Sequence, residues 1–223
     1  MLKGVERFWK ARAEVEERLW LIEWLWDAAD EGEEFIVEKL HSSLTEDPVL
    51  VIEGSRKIRS GFEEVVENPA GGYVRERKRS MLSVSMARLL RSEKTRGWAL
   101  SLYPKLLEHL YHVDPEVEKW AVHMLGDIAR LCPEKTVEAG RKLFEKYFNP
   151  STELTYEPPA ITGLGADGYR GEVAKENLSE LSQIFHRLPK EEKTRILDEL
   201  KRSMKDGDEG VKLKAKYLLQ SII

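Results

Sequence analysis

Apolar residues recur along this chain at steps of three and four, the period of an α-helix with one buried face. Val5, Phe8, Val15, Leu19, Ile22 and Trp26 form one stripe and predict a first helix from about Leu2 to Asp27. Trp9, Trp20 and Trp24 sit beside that stripe, and Leu21 and Leu25 fall across from it. The last turns of this helix, LWLIEWLW, are therefore apolar nearly all round, which predicts contact on several sides. The pattern continues as helices over Glu31–Leu44, Val49–Glu67, Tyr73–Arg91, Glu93–Tyr111, Asp114–Cys132 and Glu134–Phe148. Three more are predicted over Tyr169–Arg187, Lys190–Met204 and Asp208–Ile222. The run Val49–Ile52, ahead of Gly54, also reads as a short strand, and Pro104 is placed to kink its helix. Asn68–Gly72 is a loop, and residues 149–168, rich in Pro, Gly and Thr, have no helical pattern.

The stretch Asp114–Cys132 is the most regular of these. Asp114 is a good N-cap and Pro115 a good first helical residue. Val117, Trp120, Ala121, Met124, Leu125, Ile128 and Leu131 share one face, and Pro133 closes the segment. Asp114-Pro-x-Val117, followed by Ala121 and then Leu125-Gly126, resembles the second helix of a HEAT repeat. The family prefers Arg after the Val, where this chain has Glu118. A second copy begins at Asp208, with Val211, Lys212, Ala215 and Leu219 at the same offsets. The two Val positions stand two periods of about 47 residues apart, a spacing found in HEAT-like arrays.

That resemblance implies an all-α fold: a right-handed α-α superhelix, or solenoid, of about five antiparallel helix pairs forming one domain over residues 1–223. Second helices would begin near 31, 73, 115, 169 and 208, in steps of about 42, 42, 54 and 39 residues. The odd step holds the long loop at 149–168, and removing about a dozen residues there restores the period. An irregular helical bundle is the alternative architecture.

Composition narrows the class of protein. The net charge of −4 over 223 residues advertises no nucleic-acid partner. Charged residues make up 34% of the chain against three Asn and two Gln, a balance that leans towards a thermophile. The lone Cys132 excludes an internal disulfide framework and fits a reducing cytoplasm. No apolar run has the length of a membrane span, and no signal-peptide pattern opens the chain.

Candidate chemistry is sparse. Gly163-Leu-Gly165-Ala-Asp-Gly168 matches a dinucleotide fingerprint in spacing but lacks the strand before it and the acid after it. The loop Tyr156–Gly168 remains a candidate binding segment because of its length. His109 and His112 share a helix face near Glu108 and Asp114, yet no tract supplies further metal ligands. Cys132 has no active-site setting, and no G-x-S-x-G turn is present. The expectation is therefore no cofactor, no metal and no catalytic group.

Charge is distributed unevenly. Glu14 to Asp47 is heavily acidic, whereas Tyr73–Gly97 is basic. Arg77, Arg88 and Arg91 fall within an arc of about 60° on a helical wheel. If second helices line the concave side, as the resemblance implies, that stripe faces a groove suited to phosphates or an acidic protein segment. The alternative is intramolecular pairing with the acidic N-terminal helices, or simple solvation.

The functional expectation is a non-catalytic, cytoplasmic binding or scaffold protein whose partner is a protein. Arg77, Arg88 and Arg91 are the first contact candidates, and Trp20 and Trp24 the next, since Trp is enriched at interaction hot spots. A membrane is not expected as partner, because Glu dominates the polar positions of the first helix. The competing expectation is a nucleic-acid protein using the basic stripe, similar to the DNA glycosylases built from HEAT-like repeats. Those use aromatic residues, an Asp and an Arg on the concave face. Trp120 with Asp127 matches only loosely, and no catalytic residue carries over. Self-association is a further expectation, through the apolar end Leu218-Leu219-Gln-Ser-Ile222-Ile223.

Overall fold

The computed structural model describes residues 2–148, 181–207 and 209–222. Among them all regular structure is helical, and the Val49–Ile52 run is helix rather than strand. The expected loop at 149–168, its Gly163–Gly168 motif, the start of the helix expected from Tyr169, and Asp208 and Ile223 lie outside the described residues. Contacts group the chain into two compact units, residues 1–102 and residues 103–223.

The first unit holds α1 (Leu2–Ala29), α2 (Glu34–Glu46), α3 (Pro48–Gly54), α4 (Arg56–Glu67), α5 (Tyr73–Arg91) and α6 (Glu93–Ser101). A tight turn carries α1 back into α2, and Gly32 supplies the positive φ of 79° that an L-residue resists. The two helices run antiparallel: Arg18 of α1 reaches Glu46 at the far end of α2 at 3.3 Å. Ile22, Leu25, Trp26 and Ala29 are buried, as are Val37, Leu40 and Leu44.

The helix expected over Val49–Glu67 is cut in two at Ser55. Its backbone N–H still bonds Val51 O, closing α3, while its hydroxyl accepts from Ile58 N at 3.1 Å and caps α4. The turn 68–72 then reverses the chain into α5, which anchors it from above: Arg75 donates to Asn68 O at 2.7 Å and Arg79 to Pro69 O at 2.5 Å.

Successive pairs stack with like helices parallel. Glu38 of α2 meets Arg77 of α5 at 2.9 Å, and eight residues further along α2 the Glu46 carbonyl accepts from Arg88 at 2.8 Å. On the other layer Glu23 of α1 meets Ser55, Asp27 meets Lys57, and Trp26 packs edge-on against Phe62 of α4 at 5.3 Å. A Cβ at Gly61 would land inside the Trp26 indole, so α1 and α4 approach as closely as a glycine allows. Beyond α4 comes α6, where Lys94 reaches Glu53 at 3.1 Å and Trp98 Nε1 donates to Glu63 at 2.8 Å.

The second unit holds α7 (Tyr103–Glu108), a 3-10 turn at His109–Tyr111, α8 (Pro115–Leu131), α9 (Pro133–Phe148), a helical segment at 181–187 (α10), α11 (Lys190–Asp206) and α12 (Glu209–Ile222). The single helix expected over Glu93–Tyr111 stops at Ser101 and restarts at Tyr103. Pro104 has no N–H to give and is tolerated only in a first turn, so it interrupts rather than kinks. In α8 the expected cap is present, Asp114 accepting from Glu116 N at 3.0 Å, and Val117, Ala121, Leu125 and Gly126 are all buried. Glu118 pairs with Lys146 near the end of α9 at 2.9 Å, which sets α8 and α9 antiparallel.

A short sequence recurs at three helix starts. Glu-Lys-Thr stands at 93–95, 134–136 and 192–194, within the first turns of α6, α9 and α11. Thr95 is fully buried and donates to Leu89 O at 2.8 Å; Thr136 is buried and donates to Ala129 O at 2.7 Å. Each hydroxyl ties the new helix to a carbonyl of the helix just ended, satisfying an acceptor left over at its C-terminus. Thr194 is exposed and bonds within its own helix, to Lys190 O.

Candidate functional site

The residues marked for contact lie on two surfaces of the first unit. On α5 the three arginines have different fates. Arg77 donates from Nε to the Tyr73 hydroxyl at 3.1 Å, lies 5.3 Å from that ring's centre, and pairs with Glu38. The hydrogen bond to Tyr73 raises its pKa above the ordinary arginine value; burial opposes this, and the charge of Glu38 adds to it. Arg88 donates to Thr45 O at 2.9 Å and to Glu46 O, so it caps the C-terminal end of α2, where carbonyls are unpaired and the helix dipole is negative. Arg91 alone is exposed and without a partner among the described residues. Two of the three expected contact residues are thus bonded to the acidic helix beside them.

On α1 the opposite holds. Trp20, Leu21 and Trp24 are 67%, 46% and 51% exposed, while Trp26 two residues on is 6% exposed. At 100° per residue Trp20, Leu21, Trp24 and Ala28 fall within an arc of about 100°. Other sides of α1 face α2 through Arg18, Ile22 and Ala29, and face α3 and α4 through Leu19, Glu23, Trp26 and Asp27. The Trp20–Trp24 face points at neither. Among the described residues neither indole N–H has a hydrogen-bond partner. Leu21 belongs with the two tryptophans, although the apolar stripe alone sets it apart from them. Trp20 and Trp24 at i, i+4 and Leu21 and Trp24 at i, i+3 are the spacings that join them.

The helix that carries this face is acidic, though most of its carboxylates are already bonded within the molecule. Between Arg12 and Glu31 the chain has seven carboxylates against two cations. Glu17 lies in the middle of the same arc, one turn before Trp20 and Leu21, exposed and with no partner among the described residues. Glu16 pairs with Arg12 at 3.0 Å, and Asp27 pairs with Lys57. The buried side of α1 shows what its indoles can hold: Lys78 Nζ sits 4.3 Å from the Trp26 ring centre and 2.6 Å from Asp30.

The remaining candidates are internal. His109 and His112 lie 5.7 Å apart ring to ring, and His112 Nδ1 accepts from Asp114 N, a capping role. Among the described residues no group of three His, Cys, Asp or Glu could hold a metal. Trp120 is buried, Asp127 is held by Arg130, and Cys132 is buried at the end of α8. Leu218 and Ile222 of the apolar C-terminal stretch are buried within the second unit. A shallow cleft of about 270 Å³ is lined by Asp30, Gly32, Gly72, Tyr73, Val74 and Arg75, and its two charged residues are both paired, Arg75 with Asn68 O and Glu64 and Asp30 with Lys78.

What fold and surfaces define is a class: an all-helical protein whose first unit stacks antiparallel helix pairs, with no described helix long and apolar enough to cross a membrane. The sequence matches no family model, and no curated protein matches it.

Proposed function

We propose that this chain is a non-catalytic binding or scaffold protein of the HEAT-like solenoid type, and that α1 presents the surface which takes a protein partner. The observation that carries the reading is the pair Trp20 and Trp24, both more than half exposed on a helix whose other sides are packed. Placing two indoles in water costs hydrophobic free energy that a partner recovers, and Trp is the residue most enriched where interfaces concentrate their energy. The solenoid part of the reading is supported by like helices stacking parallel in the first unit and by the Glu-Lys-Thr junctions recurring in both units.

The test is site-specific photo-crosslinking in an extract of the source organism. A photoreactive side chain at position 24 is expected to capture a discrete protein species, and the same group at exposed Val84 on α5 is expected to capture none. No discrete product from position 24, or a nucleic-acid product from either position, would overturn the reading. The nucleic-acid alternative has only Arg91 left uncommitted from its expected stripe.

A further inference from the structure

We infer that the partner segment seated on the α1 face is a basic amphipathic helix of another protein, with an apolar stripe against Trp20, Leu21 and Trp24 and Lys or Arg along its flanks. This rests on the protein-binding reading above and adds the chemistry of what binds.

Three observations converge on it. The apolar part of the face is a narrow strip along one helix, about 100° wide, which matches the stripe of a second helix laid beside it rather than a flat sheet or a globular knob. Carboxylates stand on and beside the strip: Glu17 lies within it with no partner among the described residues, and Glu16 and Asp27 lie along its edge, paired with Arg12 and Lys57. A cationic flank would meet complementary charge along the strip. The third is the indoles themselves, whose faces attract ammonium and guanidinium groups; the same helix already holds Lys78 over Trp26 by this contact, backed by Asp30.

The charges also argue against other occupants. A second copy would bring its own Glu17 and neighbouring acids against these, and like charges set opposite one another are repulsive. Anionic lipid and nucleic acid are disfavoured by the same carboxylates.

The test uses the full chain and two synthetic helix-forming peptides with one identical Leu/Trp stripe, one carrying Lys and the other Glu at every remaining position. Binding is read by anisotropy at about 0.05 and 0.5 M salt. The Lys peptide is expected to bind at least about tenfold more tightly than its Glu twin, with the gap narrowing at high salt. Trp20→Ala/Trp24→Ala is expected to weaken it about tenfold or more, and Glu17→Lys about threefold. All three sites are exposed, and an unchanged urea midpoint shows that the variants remain folded.

Equal binding of both peptides, or tighter binding of the Glu twin, would overturn the basic-helix assignment. So would Lys-peptide binding unchanged in the double Trp variant. If neither peptide binds while position 24 still crosslinks to a protein, the assignment fails and the protein-binding reading survives. If light scattering shows a dimer that the double Trp variant dissolves, the occupant is a second copy and the assignment is overturned.

Discussion

The α1 face and the α5 stripe look equally inviting in one dimension, and the structure treats them oppositely. Arg77 and Arg88 belong to the fold: one is held by Tyr73 and Glu38, the other closes the end of α2. Trp20 and Trp24 stay more than half exposed, although they lie within two turns of the buried Trp26 in the same helix. The difference comes from what stands opposite. A cation beside an acidic helix finds a partner within the molecule, whereas the Trp20–Trp24 side of α1 has no described helix opposite it. Charge asymmetry along a sequence therefore marks internal seams as readily as external surfaces.

The comparison is broken most sharply within α1. Trp26→Ala is expected to cost about 3–5 kcal/mol of stability, because it empties a core site and removes the partner of Phe62 and Lys78. Trp24→Ala, by contrast, is expected to shift stability by no more than about 0.5 kcal/mol. Urea unfolding of the two variants side by side checks both. A large loss from Trp24→Ala would mean that this face is already covered.

On α5, Arg88→Ala is expected to cost about 1 kcal/mol by leaving the Thr45 and Glu46 carbonyls uncapped, and Arg91→Ala nothing measurable. Chemical denaturation again distinguishes them, and equal effects would remove the distinction between committed and uncommitted arginines.

The smallest measurable effect is expected in the second unit. Glu192 is bonded by Arg141 and Arg195, and those contacts, Arg141 foremost, hold its carboxyl below the ordinary value although burial opposes them. A depressed carboxyl contributes stability that is present above its unfolded pKa and is lost as pH falls through the lower folded value. Glu192→Gln should therefore lower the melting temperature by about 2 °C at pH 7 and have no effect once the pH lies below both values. Thermal melts across acid to neutral pH check the sign.

Much of the helix map was legible from periodicity alone. Tyr73–Arg91 has the bounds expected of it, and the Asp114 cap and Pro115 start of α8 follow directly from local chemistry. The misread junctions share a cause. Ser55 and Pro104 sit within long apolar patterns, and periodicity continues across a break that keeps the same face inward. The capping potential of Ser after Gly54 and the missing N–H of Pro104 were the stronger signals.

Glu118 is instructive in another way. Where the HEAT pattern prefers Arg, the acid here answers Lys146 on the neighbouring helix, a pairing that no local motif announces. The same limit applies to the surfaces. That Trp20 and Trp24 are apolar could be read directly, but their exposure depends on which side of α1 receives α2 and which receives α4. Only the stacked helices fix that.

The glycine at the α1–α4 seam has a mechanical meaning as well. With no side chain at Gly61, the Trp26 ring lies in the surface of α4 like a tooth in a notch. Such a joint resists sliding: α1 cannot shift along its own axis without lifting the ring clear. A tug applied to the exposed face of α1 would therefore pass into α4 as shear on the notch rather than lifting α1 away from it. A single added methyl at position 61 would replace the notch with an obstruction.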